Sequence, residues 1–192
     1  MRKAIFIASA SPRRLQLLEQ VGIHPEVIIS KINETCDKNL PAESLARQLA
    51  LRKTQAAANK LLDGIIIGAD TVVVLDDRIY GKPKDFNQAV EMILSLSGRT
   101  HRVITGIAVL EQPKGDWIVD AEETLVTIRE LSMAEVRSYV NWGESFDKAG
   151  GYGIQGKGAL LVERIEGDYF NVVGLPLQRL SKILARFEIN LL

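Results

Sequence analysis

Two arginines at the start of a predicted helix are the first residues whose placement points to chemistry. The apolar run 6–8 ends a predicted strand, Ser11 suits the N-cap of a helix, and Pro12 suits its first position. Arg13 and Arg14 then fall in the first turn, where the helix dipole is already positive and a cation costs about 0.3–1 kcal/mol. A bound anion would reverse that sign, because backbone N–H groups and guanidinium groups would both face it. The alternatives are an anion site and two solvated arginines.

An acidic residue interrupts the most apolar stretch of the chain. Residues 64–75 (GIIIGADTVVVL) are typical of a fully buried strand except at Asp70 and Thr71. A buried carboxylate is usually paired, protonated or bound to a metal, because leaving it unpaired is costly. The alternative is a strand that ends at Gly68 and leaves Asp70 in a turn, although the β-branched run 72–74 argues against that break.

Two lysines could meet this acid or another anion. Lys53 lies on the apolar face of a helix predicted over 42–62, where it either extends to water or meets a buried anion. A turn at 76–77 would fold the following chain back and bring Lys82 near the level of Asp70. Both lysines are therefore candidates for binding an anion.

Composition limits the kind of partner. Lys and Arg number 24 and Asp and Glu number 24, so no overall charge favours a nucleic-acid polymer or an anionic membrane. The single cysteine, Cys36, excludes an internal disulfide and suits a reducing compartment. The N-terminal apolar run is too short for a signal peptide, and no apolar stretch could span a membrane. We expect a cytoplasmic protein with one domain over residues 1–192.

The predicted elements favour an α/β fold with long, partly antiparallel strands. Further helices are expected to begin at Asp85 and at Ser132, where a capping box is present. The predicted strands are 3–8, 65–75, 100–111 and 116–131, and the other predicted helices are 12–21, 42–62 and 176–187.

Glycine is concentrated late in the chain, with eight of the fifteen between Gly143 and Gly174. Such density indicates either turns or a backbone that approaches a ligand closely. Residues 151–156 match G-x-G-x-x-G, but a strand-like segment follows at 159–165 where that motif requires a helix, so we reject a dinucleotide site and a P-loop.

The histidines, His24 and His101, are isolated, which argues against zinc and against a Ser-His-Asp triad. Any metal would then be a hard cation held by carboxylates and phosphate, for which Mg²⁺ or Mn²⁺ is suitable.

Seven segments that run in order over nearly the whole chain carry a family resemblance. They are ASASPRR (8–14), INE (32–34), LALRKTQAA (49–57), GADTVVVLDDRIYGKP (68–83), LSGRTHRVITG (96–106), DKAGGYGIQG (147–156) and GDYFNVVGLPL (167–177). Together they resemble the Maf family of nucleotide pyrophosphatases, with Gly151 as a small departure from the usual alanine. The forms SPRR, ADT and YGIQG resemble the branch that acts on dTTP and UTP.

The resemblance implies a fold, a reaction and a cofactor. It implies a long twisted mixed β-sheet with two lobes around a central cleft, similar to the inosine-triphosphate pyrophosphatases. It implies hydrolysis of a nucleoside triphosphate to the monophosphate and pyrophosphate, in a house-cleaning role, with a divalent metal, Mg or Mn, and a homodimer. The alternatives are a 7-methyl-GTP pyrophosphatase and a nucleotide-binding regulator of cell division and septum formation.

The resemblance also assigns roles to residues found above. Asp70 is the candidate general base and, together with Glu34, a candidate metal ligand. The expected phosphate-binding residues are Ser9, Arg13, Lys53 and Lys82. The residues expected to set base preference are Arg13, Thr71 and Gln155, of which Gln155 has the amide donor and acceptor that suit the O4/N3–H edge of uracil or thymine.

Overall fold

A seven-stranded mixed sheet with helices forms the framework of the computed structural model, which describes residues 3–29, 32 and 40–192. The sheet order is β2-β1-β3-β5-β6-β7, and β4 pairs with β3. The first strand is parallel to its neighbours β2 and β3, whereas β4 and β7 are antiparallel to β3 and β6. The strands are β1 (Ile5–Ile7), β2 (Glu26–Val27), β3 (Gly64–Leu75), β4 (Arg78–Tyr80), β5 (Thr100–Gln112), β6 (Asp116–Ile128) and β7 (Val162–Glu166). The α/β fold with a mixed sheet is confirmed.

The helices begin close to the residues that the sequence indicates. They are α1 (Pro12–Gln20), α2 (Ala42–Ala58), α3 (Phe86–Leu96), α4 (Met133–Asn141), α5 (Tyr169–Val173) and α6 (Leu177–Ala185), with 3₁₀ turns at Ala149–Gly151 and Gly156–Leu160. Asp85 accepts a hydrogen bond from the Gln88 amide and begins α3, and Ser132 forms the predicted capping box with Glu135. None of these helices, in the part of the chain that the structure describes, is long and apolar enough to cross a membrane.

Several predicted elements are shorter than the sequence indicates: the strands predicted over 3–8 and 116–131 span Ile5–Ile7 and Asp116–Ile128, and the helix predicted over 176–187 spans Leu177–Ala185. Two further cases have a visible cause. The second helix was expected over 42–62 but ends at Ala58, because the amides of Lys60 and Leu61 turn back to the carbonyls of Ala57 and Ala58 in a tight last turn. The strand expected over 159–165 begins only at Val162, since the 3₁₀ turn takes the residues before it.

The chain divides into two compact units, and the three long strands contribute residues to both. Unit 1 contains residues 1–70, 105–122 and 174–192, and unit 2 contains residues 71–104 and 123–173.

In unit 1, two glycines bring the backbone of α2 close to the sheet. A Cβ atom at Gly106 would lie 2.2 Å from the carbonyl oxygen of Ala46, and one at Gly68 would lie 2.1 Å from the Thr54 hydroxyl. Ala46 and Thr54 are completely buried. Helix α2 therefore packs on β3 and β5 at a distance that only glycine permits, and this packing sets how deep the side chains of α2 lie.

A charged network in unit 1 links α2, β6 and α6. Arg179 donates to Asp120 at 2.8 Å and to Glu122 at 2.5 Å, and Arg47 contacts Asp120 at 3.3 Å. Arg47 also pairs with Glu43 one turn earlier in α2 at 2.7 Å. These side chains are partly exposed, so we treat the network as support for the positions of the helices rather than as a large source of stability.

In unit 2, a buried histidine is paired with a buried tyrosine. His101 on β5 is 2% exposed and Tyr152 is 5% exposed. The Nε2 atom of His101 lies 2.6 Å from the hydroxyl of Tyr152, and the two rings are in edge-to-face contact at 5.4 Å. Burial lowers the pKa of His101 to about 4 and raises the pKa of Tyr152 well above its usual range. Both side chains are therefore neutral at neutral pH.

We expect Gly106→Ala to lower the free energy of unfolding by about 2–3 kcal/mol, because the new methyl group would overlap the backbone at Ala46. Gly81→Ala is the matched control, since a Cβ atom there meets nothing within 4 Å. Its free energy of unfolding should stay within about 0.5 kcal/mol of the wild type. Urea unfolding measures both variants, and equal stabilities would contradict the close approach of α2 to β5.

The buried His101 makes stability depend on pH in a defined direction. Its pKa is 6.5 in the unfolded chain and about 4 in the folded one, so the unfolded state binds more protons in this range and stability falls as the pH falls. Between about pH 7.5 and 5, we expect the wild type to lose about 2 kcal/mol relative to His101→Gln, which cannot titrate. Urea unfolding at each pH measures this, with His24→Gln at an exposed histidine as control for loss of one imidazole. A difference that does not change with pH would contradict the neutral buried state.

Candidate functional site

The N-terminal end of α1 is arranged differently from the sequence expectation. Ser11 is the N-cap residue, as predicted, but its side chain makes no capping hydrogen bond. Instead, the Ser9 hydroxyl accepts a hydrogen bond from the Ser11 amide at 3.2 Å and lies 3.3 Å from a guanidinium nitrogen of Arg14. Arg14 also donates to the carbonyl of Gly174 at 2.7 Å. The two arginines therefore differ: Arg14 ties the loop after β1 to the chain before α6, and Arg13 lies half-buried beside it.

The most buried charged contact at the candidate site joins Lys53 to Asp70. Asp70 lies inside β3 rather than in a turn, and the ammonium group of Lys53 on α2 donates to its carboxylate. The two side chains are 16% and 13% exposed, so neither extends to water. Of the alternatives left open by the sequence, the structure selects the buried strand acid and the lysine that meets it. Unit 1 thus holds a carboxylate and an ammonium group in direct contact.

In unit 2, the β3–β4 hairpin positions Thr71 and Lys82. The predicted turn at 76–77 is confirmed, and Val73 pairs with Tyr80 in the antiparallel ladder. Thr71 lies two residues before Val73 in β3, and Lys82 lies two residues after Tyr80, where β4 ends. Lys82 is exposed and has no hydrogen bond or ion pair with any residue that the structure describes. Its ammonium group is available to a ligand.

The glycine-rich segment of residues 148–158 is held against this hairpin by its backbone. The amide of Gly150 donates to the carbonyl of Gly81 at 3.0 Å, next to Lys82. The amide of Gly153 donates to the hydroxyl of Tyr139 on α4 at 3.2 Å. Unit 2 therefore brings the segment that carries Gln155 into direct contact with the segment that carries Lys82.

Gln155 itself is half-buried, directly before the second 3₁₀ turn. Within the described ranges its side-chain amide has no hydrogen-bond partner, so both its donor and its acceptor are available. The 3₁₀ turn that follows is not the helix that a P-loop needs, which agrees with the rejection of that motif.

A metal centre made by the protein alone is not found in the part of the chain that the structure describes. No group of three or more His, Cys, Asp or Glu side chains there could hold an ion. Glu34, the second candidate metal ligand, and Cys36 lie outside the described residues. Asp70 is the candidate metal ligand that the structure places.

Sequence reasoning missed three residues that organise these segments. Arg14 was grouped with Arg13, although its side chain binds the protein's own backbone. His101 was set aside as isolated, and Tyr152 was not singled out, because their contact joins residues 51 positions apart. His101 is flanked by Thr100 and Arg102 at the start of β5, so no local conflict of the kind that identified Asp70 marks it.

Known proteins of one name are similar to this chain along almost its whole length. A protein from Dictyoglomus turgidum named "dTTP/UTP pyrophosphatase" is 48% identical over all of both chains. Proteins of the same name from Alkaliphilus oremlandii and Moorella thermoacetica are 50% and 47% identical, over 99% and 97% of this chain and 100% and 96% of theirs.

A solved structure, that of the Staphylococcus aureus Ham1 protein, matches 66% of this chain and 72% of that one with a TM-score of 0.47 and 18% identity. The profile of the Maf-like protein family matches residues 4–187. With full-length relatives at this identity and a family match over almost every residue, the chain belongs to the Maf-like protein family.

Proposed function

We propose that this protein is a nucleoside triphosphate pyrophosphatase that hydrolyses dTTP and UTP to the monophosphate and pyrophosphate. The observation that carries the proposal is the contact between Lys53 and Asp70, a mostly buried carboxylate held by an ammonium group. A structural core does not need such a pair in the middle of an apolar strand, whereas attack of water on a phosphate needs a fixed base. The names of the full-length relatives support the same activity.

In the proposed reaction, a water molecule attacks the α-phosphorus and its proton passes to a carboxylate oxygen of Asp70. A bond forms between the water oxygen and the α-phosphorus, and the bond from that phosphorus to the α–β bridging oxygen breaks. The bonding electrons leave with pyrophosphate, which carries the negative charge away. Lys53 fixes the orientation of Asp70 and keeps a positive charge near the reacting phosphate.

The other candidate residues bind and select the substrate. A triphosphate carries nearly four negative charges, and Arg13 and Lys82 provide charge that opposes them. The Ser9 hydroxyl can donate to a phosphate oxygen, since its contacts with Ser11 and Arg14 use it as an acceptor. Gln155 offers its amide to the O4/N3–H edge of the base.

Thr71 completes this set next to the proposed base. It directly follows Asp70 in β3 and contributes to base preference together with Arg13 and Gln155, in line with the branch of the family that the motifs resemble.

A divalent cation, Mg²⁺ or Mn²⁺, fits this chain as a group shared with the substrate. Mg²⁺ is commonly held by one or two carboxylates together with phosphate oxygens and water, and Asp70 supplies such a carboxylate. The absence of a three-ligand cluster among the described residues agrees with that mode rather than with a closed protein cage. When bound, the ion would neutralise charge on the phosphate oxygens.

We infer that residues 1–192 act as one domain, that the protein works in the cytoplasm, and that it forms a homodimer. The balanced charge of the chain supports a small-molecule substrate rather than a nucleic-acid polymer or a membrane surface.

The direct test is an assay of purified protein with each common nucleoside triphosphate and 7-methyl-GTP, in the presence of Mg²⁺ or Mn²⁺. We expect equal amounts of monophosphate and pyrophosphate, produced fastest from dTTP and UTP. Faster turnover of 7-methyl-GTP would replace the proposed substrate while keeping the reaction. Binding of UTP with no turnover of any nucleotide would favour a nucleotide-binding regulator instead.

Asp70→Asn should lower kcat by about 10²–10⁴-fold with UTP binding retained, because the amide cannot accept the proton but can occupy the same volume. Pyrophosphate release measures the rate, and equilibrium binding of UTP measures affinity. Asp77→Asn, an exposed acid in the following turn, is the matched control and should keep the wild-type rate. Unchanged turnover in Asp70→Asn would remove this residue from the mechanism.

A further inference from the structure

The amide that is proposed to read the base is not held by any side chain. Gln155 has no side-chain hydrogen bond to a residue that the structure describes, so its location depends on how its backbone is fixed. The nearest fixed points in unit 2 are the amide of Gly153, which donates to Tyr139, and Gly158, which packs directly on the carbonyl of Gly153. These contacts hold the segment to α4 and to itself.

The only deeply buried side chain close to Gln155 in the preceding turn is Tyr152. Its hydroxyl is joined to Nε2 of His101 at 2.6 Å, and its ring packs edge-to-face on the imidazole. His101 lies on β5, a strand in the interior of the sheet order with β3 and β6 on its two sides. The pair therefore ties the segment of Gln155 to one of the innermost strands.

This is the one hydrogen bond that the His101 side chain makes among the described residues. The Nδ1 atom of His101 is buried and has no hydrogen-bond partner among the described residues, so Tyr152 is the polar group that the imidazole contacts there. A leucine at position 101 would leave the buried hydroxyl of Tyr152 without this partner. His101 lies between Thr100 and Arg102 near the start of β5, yet it is itself buried and contacts Tyr152, three positions before Gln155.

We infer that His101 and Tyr152 are positioning residues for base recognition: their buried hydrogen bond fixes the backbone from which Gln155 presents its amide to the nucleobase. This inference rests on the proposed function. It assigns the pair an effect on substrate affinity rather than on the proton transfer at Asp70, since neither residue contacts that carboxylate. Small displacements of a recognition group are enough to weaken binding, because hydrogen-bond strength depends steeply on distance and angle.

The test is Tyr152→Phe, which removes one hydroxyl and keeps the ring. We expect KM for UTP and dTTP to rise about tenfold while kcat stays within about threefold of the wild type. His101→Leu should have the same effect, and His101→Gln should restore KM to within about twofold, because its amide can bond to the Tyr152 hydroxyl. The matched control is Ser97→Ala, which removes a partly buried hydrogen bond to the Leu131 amide elsewhere in unit 2 and should leave KM unchanged.

A double-mutant cycle then separates positioning from general destabilisation. Gln155→Ala raises KM by itself, and adding Tyr152→Phe to it should change KM by less than about twofold, since the group that Tyr152 positions is already gone. Amide hydrogen exchange gives a second readout that does not depend on turnover. In Tyr152→Phe, exchange should be about tenfold faster over residues 150–158 and unchanged over 133–141.

The outcomes distinguish this inference from the proposed function. A wild type that releases no pyrophosphate from dTTP or UTP would overturn the proposed function and with it this role of the pair. An active wild type whose KM and hydrogen exchange are unchanged by Tyr152→Phe would overturn the role of the pair alone. An equal rise in KM with and without Gln155 would also overturn it, because the effect would then not pass through that amide.

Discussion

The contact between Lys53 and Asp70 is the interaction on which the organisation of unit 1 depends. A carboxylate inside an apolar strand is tolerated because an ammonium group meets it, and truncating either side chain would leave the other charge mostly buried and unpaired. Lysine reaches the strand only if the helix that carries it lies close to the sheet. The glycines at positions 68 and 106 permit that distance, so the packing of α2 and the chemistry of Asp70 have one structural cause.

Unit 2 positions its candidate residues through the backbone rather than through contacts of their side chains. Lys82 and Gln155 have no side-chain partner in the described part of the chain, and their backbones are fixed instead. The amide of Gly150 bonds to the carbonyl of Gly81, and the hydroxyl of Tyr152 bonds to His101. The side chains proposed here to bind the substrate, Lys82 and Gln155, thus have no side-chain partner among the described residues, while the backbone that carries them is hydrogen-bonded.

The parts of the fold that were predictable from sequence depend on local signals. Asp85 and Ser132 begin helices because their partners, Gln88 and Glu135, lie three residues further along the chain. The same reasoning identified Ser11 as an N-cap residue but could not show that its hydroxyl makes no capping bond, since a residue type does not determine a side-chain rotamer.

The candidate site was predictable where one residue conflicted with its surroundings. Asp70 stood out inside an apolar strand, and Lys53 stood out on an apolar helix face, but their 17-residue separation left two outcomes open for each. His101 lies between Thr100 and Arg102 and does not conflict with its neighbours in this way. Its partner lies 51 residues away in a glycine-rich segment without periodicity, so only the folded structure identifies Tyr152.

The close approach of α2 to the sheet also limits how such a chain can adapt to high temperature. Replacing glycine by alanine commonly stabilises a protein, because it reduces the conformational entropy of the unfolded chain. At Gly68 and Gly106 an alanine would not stabilise the protein, since its methyl group would separate α2 from the strands and move Lys53 away from Asp70. At Gly81 a methyl group would meet nothing within 4 Å, so an alanine is compatible with the fold there. Stabilising glycine-to-alanine substitutions are therefore expected at loop positions such as Gly81 and not where α2, which carries Lys53, packs on the sheet.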